Sequence, residues 1–213
     1  MKKAILFIAI IFMVITGKTQ NAEFAKVMGE ALDQFKACKN IADYQAVANK
    51  FNMMANAEKN EWLPLYYHAH CYIIMSFIEP TDVKKKDAFL DVAEASIEKM
   101  LILAPNESEV FALQALLFSG RLMVNPMERG QKYGGMSDVA VSKALKLDPG
   151  NPRAKFIKLR GDMGKAQFFG KNPNDYCPAA KDLLATWDQY KVKSPIYPSW
   201  GKSQVAEVVK NCK

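Results

Sequence analysis

The sequence predicts an all-α protein, about nine helices stacked as antiparallel pairs into an α-solenoid. Three observations carry this reading. Beyond residue 22, apolar residues recur three and four positions apart with no sustained alternation of period two, the pattern of helices that bury one face. The periodic stretches are separated by helix-breaking chemistry at Pro80-Thr81-Asp82, Pro105-Asn106-Glu107, Asn125-Pro126, Asp148-Pro149-Gly150-Asn151-Pro152 and Ser194-Pro195. One helix ending occurs twice, as Ile102-Leu103-Ala104-Pro105-Asn106 and, 44 residues later, as Lys146-Leu147-Asp148-Pro149-Gly150. An internal period of about 20 to 50 residues marks a helical repeat array.

The amino terminus reads as an export signal. Lys2 and Lys3 precede an unbroken apolar run from Ala4 to Ile15, 12 residues long, followed by the small and polar Thr16, Gly17, Lys18 and Thr19. A helix needs about 20 apolar residues to cross a bilayer, so this run is a signal peptide's middle and not a span. Gly17 and Thr19 suit the small positions of a cleavage site, making residues 1–19 the signal and 20–213 a single helical domain. The first cysteine, Cys38, is too far on for lipidation, so a periplasmic or secreted protein without stable membrane insertion is expected. Cleavage removes three lysines and leaves 26 basic against 22 acidic residues. That surplus is too small, in an exported protein, to argue for a nucleic-acid partner. Lys84, Lys85 and Lys86, just ahead of an acid-bearing helix, read as solvated surface.

Helices are expected at 22–38, 41–57, 61–78, 86–104, 107–123, 137–147, 152–168, 176–191 and 202–211. Pro64 and Pro152 fall in first turns, where a missing amide hydrogen costs little, and Asn106 or Ser108 can cap a start. In the helices ahead of the repeated endings, Leu65-x3-Ala69-x2-Tyr72 matches Phe111-x3-Ala115-x2-Phe118 at an offset of 46. A small residue three before an aromatic lets two helices approach while the ring fills the adjacent space. An aromatic-glycine motif also recurs, as Lys132-Tyr133-Gly134-Gly135 and Gln167-Phe168-Phe169-Gly170, in segments expected to be loops between paired helices.

The stretch Ala144-Leu145-Lys146-Leu147-Asp148-Pro149-Gly150-Asn151-Pro152 resembles the close of one tetratricopeptide repeat and the start of the next. In that family a small residue lies ten positions after the proline, as Ala115 does after Pro105; after Pro149 the small residue is Gly161, two positions late. With Pro198-Ser199-Trp200-Gly201, residues 61–213 resemble a mostly uncharacterised group of exported bacterial tetratricopeptide-like proteins. The resemblance implies a right-handed solenoid that binds a protein or peptide in a groove lined by the first helix of each pair. Carried over position by position, the groove residues are Tyr66 and His70 in the first clear repeat, Glu109 in the second, and Lys155, Lys158 and Asp162 in the third.

Enzyme chemistry finds little support. His68 and His70 are the only histidines, and two positions apart on a helix they point about 200° apart, so they do not readily share a metal ion. Gly17-Lys18-Thr19 lies in the signal, and Gly201-Lys202-Ser203 has Ile196 where a phosphate loop needs its first glycine. Asp87, Asp91, Glu94 and Glu98 form one polar helix stripe, read as a solvated face. The eleven methionines read as gap-filling in helix packing. No cofactor or metal is expected. Four cysteines without a Cys-x-x-Cys pattern in an exported chain suggest disulfides, with three connectivities open. Antiparallel pairing of the last two helices favours Cys177–Cys212, and Cys38–Cys71 would join the first and third helices, expected to be parallel neighbours in a solenoid; four reduced thiols are the alternative. The leading expectation is a non-enzymatic exported protein that binds a protein or peptide through its concave groove. The alternatives are an enzyme or small-molecule binder with its site under the aromatic-glycine segments, or a structural part of an envelope assembly.

Overall fold

The computed structural model describes residues 22–212; the expected signal at 1–19 lies outside the described residues. The regular structure within them is entirely helical. Helix α1 covers 22–37. It is followed by α2 (Ile41–Ala57), α3 (Leu63–Ile78), α4 (Val83–Leu103), α5 (Ser108–Val124), α6 (Pro126–Leu147), α7 (Pro152–Phe168), α8 (Cys177–Thr186) and α9 (Lys202–Lys210). Short 3-10 turns at Pro173–Tyr176 and Trp187–Gln189 flank α8. Consecutive helices pack on one another: α2 on α3, α3 on α4, α5 on α6, with α4–α5 and α6–α7 joining one pair to the next.

Side-chain caps set most starts. Asn40 accepts from the Asp43 amide at 3.0 Å, Asp82 from the Lys85 amide at 3.0 Å, and Asn151 from the Arg153 and Ala154 amides at 2.9 and 3.2 Å. The cap at Asp82 starts α4 earlier than the lysine run suggests, so Lys84, Lys85 and Lys86 occupy its first turn. The larger departure is α6. Asn125 caps it and Pro126 opens it, so Lys132-Tyr133-Gly134-Gly135 lies inside a helix and not in a loop. Packing outweighs the low helix propensity of those glycines: Tyr133 stacks on Phe118 at 6.4 Å between centroids, and a Cβ on Gly134 would only touch Leu122 at 3.6 Å. Conversely, α8 stops at Thr186 and not at 191.

Two apolar clusters form the interior. The larger runs from Met28 and Phe51 through Tyr66, Leu90, Ile97, Leu113 and Val141 to Ile157. The smaller joins Phe156, Leu159, Ala180, Leu183, Trp187, Val205 and Val208 at the carboxyl end. Trp200 packs against both. It is delivered by the extended stretch 190–201, a strap running back across α3 and α5: Tyr67 Oη donates to the Ile196 carbonyl at 3.1 Å, Lys193 pairs with Glu107 at 2.8 Å, and Trp200 Nε1 donates to Tyr66 Oη at 2.8 Å. Gly201 ends the strap at φ 112°, a conformation that side chains disfavour, and a Cβ there would lie 2.5 Å from the Trp187 ring.

Cys177 and Cys212 are joined, with 5.8 Å between their Cα atoms, which ties α9 to α8. The suggested Cys38–Cys71 bridge is not formed. Cys38 turns its thiol back to donate to the Gln34 carbonyl at 3.3 Å, and Cys71 is buried as an apolar residue in α3.

Candidate functional site

Tyr66, His70 and Glu109, expected to line an open groove, are all interior. The chain's own strap covers the first two: Trp200 bonds to Tyr66 and lies 4.9 Å from the His70 ring. Glu109 is 0% exposed and receives two bonds of 2.6 Å from Arg153, itself 1% exposed, plus one of 2.8 Å from Asn151. Burial raises the Glu109 carboxyl above the ordinary range, and the guanidinium opposes that shift. Lys155 and Lys158 are exposed on α7, where Lys158 and Lys165 hold half-buried Asp162 at 2.5 and 3.1 Å. The six positions therefore form no common surface: three belong to the core and three to the outside of α7.

Both histidines are packing residues. His68 Nδ1 lies 2.8 Å from Ser96 Oγ, and His70 sits among Phe35, Tyr66 and Trp200. Burial, with a smaller push from Lys99, lowers His68 from 6.5 to about 4; burial, helped by Arg153, lowers His70 to about 3. An unfolded chain therefore takes up these protons near pH 6.5, whereas the folded one does not until pH is far lower. The unfolded state binds more protons in between, so stability falls as the pH drops below about 6.5, by up to about 1.4 kcal/mol per unit for each ring. Urea midpoints should decline from about pH 7 to about pH 5 on this account. A flat midpoint over that window would show that the rings titrate as if exposed.

The acidic stripe of α4 is not simply solvated. Arg121 of α5, almost fully buried, binds Asp91, Glu94 at 2.7 Å and Asp87 at 3.2 Å, and Arg129 of α6 grips Asp87 with two bonds of 2.7 and 2.8 Å. The Arg129 hydrogen bonds hold Asp87 below its ordinary value. This cluster binds three helices together and leaves only Glu98 of the stripe without such a partner.

The two aromatic-glycine segments lie in α6 and at the end of α7, helices that pack on one another. Lys165 of α7 donates to both oxygens of Asp138 in α6 at 3.1 Å. The helices run antiparallel, so one turn beyond Lys165 lies beside one turn before Asp138. Phe168 and Phe169 follow Lys165 by three and four residues, and Gly134, Gly135 and Met136 precede Asp138 by two to four. The two phenylalanines are 59% and 71% exposed and meet edge to face at 5.3 Å. Nothing lies within 4 Å of a Cβ built on Gly135, so the space above it is open. Half-buried Tyr133 borders it with Lys132 Nζ 5.0 Å above its ring, and exposed Lys171 follows the turn at Gly170, whose φ is 70°. The repeated aromatic-glycine motif was the signal in the sequence for these segments. A second hollow of about 460 Å³ lies between the strap and α9, walled by Trp200, Leu184 and Ala206 with Lys202 at its rim. Among the described residues no group of His, Cys, Asp and Glu is placed to hold a metal ion, and no helix is long and apolar enough to cross a membrane.

No protein-family model and no curated protein sequence matches the chain. Among solved structures, the HusA haemophore from Porphyromonas gingivalis is similar, with a TM-score of 0.77 and 29% identity over 89% of this chain and 92% of that one. This likeness overturns two expectations drawn from the repeat motifs, an uncharacterised tetratricopeptide-like relationship and a protein or peptide as ligand. The similar protein is a haemophore by its name, and of the expectations drawn from the sequence the alternative of a small-molecule binder is better supported than a protein or peptide binder.

Proposed function

We propose that this protein is a non-enzymatic carrier of haem or a closely related planar tetrapyrrole, working in the periplasm or outside the cell after loss of residues 1–19. The observation that carries the proposal is the likeness to a haemophore along nearly the whole of both chains. The aromatic-glycine shelf supplies what such a ligand needs. Phe168, Phe169 and Tyr133 offer ring faces and edges, Gly135 leaves the space above it open, and Lys132 and Lys171 are cations for the ligand's carboxylates. With His68 and His70 inside the fold, the ring system is held by its faces and carboxylates and not by a histidine bond to iron.

The test is a haemin titration of residues 20–213 followed by absorbance and tryptophan fluorescence. Saturable binding is expected. Phe168→Ser with Phe169→Ser removes roughly 100 Å² of apolar contact at about 25 cal/mol/Å², so affinity should fall roughly 50-fold. His70→Phe, which fills the same space, should leave it unchanged. Absence of saturation in the unaltered protein would sink the proposal, and full affinity in the double variant would move the ligand to the Trp200 hollow.

A further inference from the structure

The strap over α3 and α5 is held down by side chains. Among the described residues no main-chain hydrogen bond ties 190–201 to α3, α5 or α7. Its anchors are the Tyr67–Ile196, Lys193–Glu107 and Trp200–Tyr66 bonds, together with Tyr190 Oη, which donates to Asp148 at 2.8 Å. The Cys177–Cys212 bridge keeps α9 on α8, and Gly201, at φ 112°, is the joint between α9 and the strap. Trp200 lies 4.9 Å from the His70 ring and also walls the hollow of about 460 Å³. The middle of the strap therefore has room to lift while α8 and α9 stay in place.

Beneath Trp200 lies a polar group left without a partner. His70 is 4% exposed, and its Nδ1 makes no hydrogen bond. Around its ring, α1 presents Phe35 at 5.3 Å, α3 presents Tyr66 at 6.1 Å, and the strap presents Trp200. The titratable and charged groups that bear on it are Tyr66, Arg153 of α7, and Glu109 of α5, which pairs with Arg153. A charged ring would be buried, without an acceptor at Nδ1, and near a guanidinium. His68 differs, since it bonds with Ser96 on the α4 side of α3.

We propose that the strap is an acid-sensitive lid, lifted by protonation of His70, that uncovers Tyr66, Tyr67 and His70 on α3. With the strap down, burial and Arg153 keep the ring neutral until the pH nears about 3. With the strap off, the ring regains its ordinary value of about 6.5. Between these values the open state binds one more proton, so acid favours opening. From pH 7 to pH 5 the open population should rise about 25-fold. The lid stands on the strap's geometry and does not depend on haem.

The experiment is hydrogen exchange at the Trp200 indole N–H, followed by NMR in residues 20–213 at pH 7 and pH 5. Dividing each rate by that of N-acetyltryptophanamide in the same buffer removes the intrinsic pH dependence. Protection of Trp200 should fall about 25-fold in the unaltered protein and in His68→Gln, but less than about twofold in His70→Phe. The amide of Leu113, 0% exposed in α5, should stay better protected than Trp200 at both pH values. Equal protection at Trp200 and Leu113 would mean that only whole-molecule unfolding frees the strap, and would overturn the proposal without recourse to a variant. So would a His70 ring that titrates near pH 6.5 while Trp200 is still protected. The same fall in His70→Phe as in the unaltered protein would assign the effect to Glu107 and Asp148 and overturn it as well.

Discussion

Glu109→Ala should cost about 3–5 kcal/mol, a large share of the roughly 5–15 kcal/mol that holds a domain folded. The carboxylate is 0% exposed, and its removal strands the Arg153 guanidinium, 1% exposed, with its two 2.6 Å bonds unmade. Asn151 loses a partner as well, and Asn151 caps α7 and bonds to Ser108, which in turn binds the Ala144 carbonyl at 2.8 Å. The damage therefore spreads along the joint between α5, α6 and α7. Most of this cost is a buried charge left alone, so replacing both members, Glu109→Leu with Arg153→Met, should recover much of it. Urea denaturation of the two variants and the original measures this directly. A loss below about 1 kcal/mol for the single substitution would mean that water reaches the pair.

Trp200→Ala should be the next largest loss, about 2–3 kcal/mol, less than for a fully buried ring because Trp200 is half-buried. Among the described residues Trp200 is the one side chain that packs against both apolar clusters, and it also donates to Tyr66 Oη, which is 0% exposed. At about 2–4 °C of melting temperature per kcal/mol for a chain of this size, the midpoint should drop by about 4–12 °C. The measurement needs the Cys177–Cys212 bridge intact, so that α9 stays on α8 while the strap loses its anchor. Trp200→Phe should recover part of the loss through its ring but not the hydrogen bond. An unchanged midpoint for the alanine variant would show that the strap follows the fold and does not hold it.

The helices were legible because their signals are local. The spans 41–57 and 152–168 follow from a cap, a proline or a periodic face that a few neighbouring residues supply, and they agree with α2 and α7. The start of α6 was missed, since Gly134 and Gly135 read as a loop, whereas the Asn125 cap, Pro126 and the packing of Tyr133 on Phe118 make the stretch helical. The same limit explains the acidic stripe. Asp87, Asp91 and Glu94 look solvated along their own helix, and their partners Arg121 and Arg129 lie some 30 to 40 residues away, with separations from 27 to 42.

The two aromatic-glycine segments could be seen in the sequence, together with the possibility of a small-molecule site at them. Their placement on packed neighbouring helices comes from the pairing of α6 and α7, and the burial of the expected groove residues comes from the strap. Taken alone, then, the sequence determined that the chain is all-α, where most helices begin and end, and which residues have unusual chemistry, because periodicity, capping and composition act within a few residues. Tertiary structure alone decided that Tyr66, His70 and Glu109 lie inside and that the strap occupies the surface they were expected to line. Burial depends on what the rest of the chain brings to a residue, and Trp200 and Arg153 are 134 and 44 positions from the partners they cover.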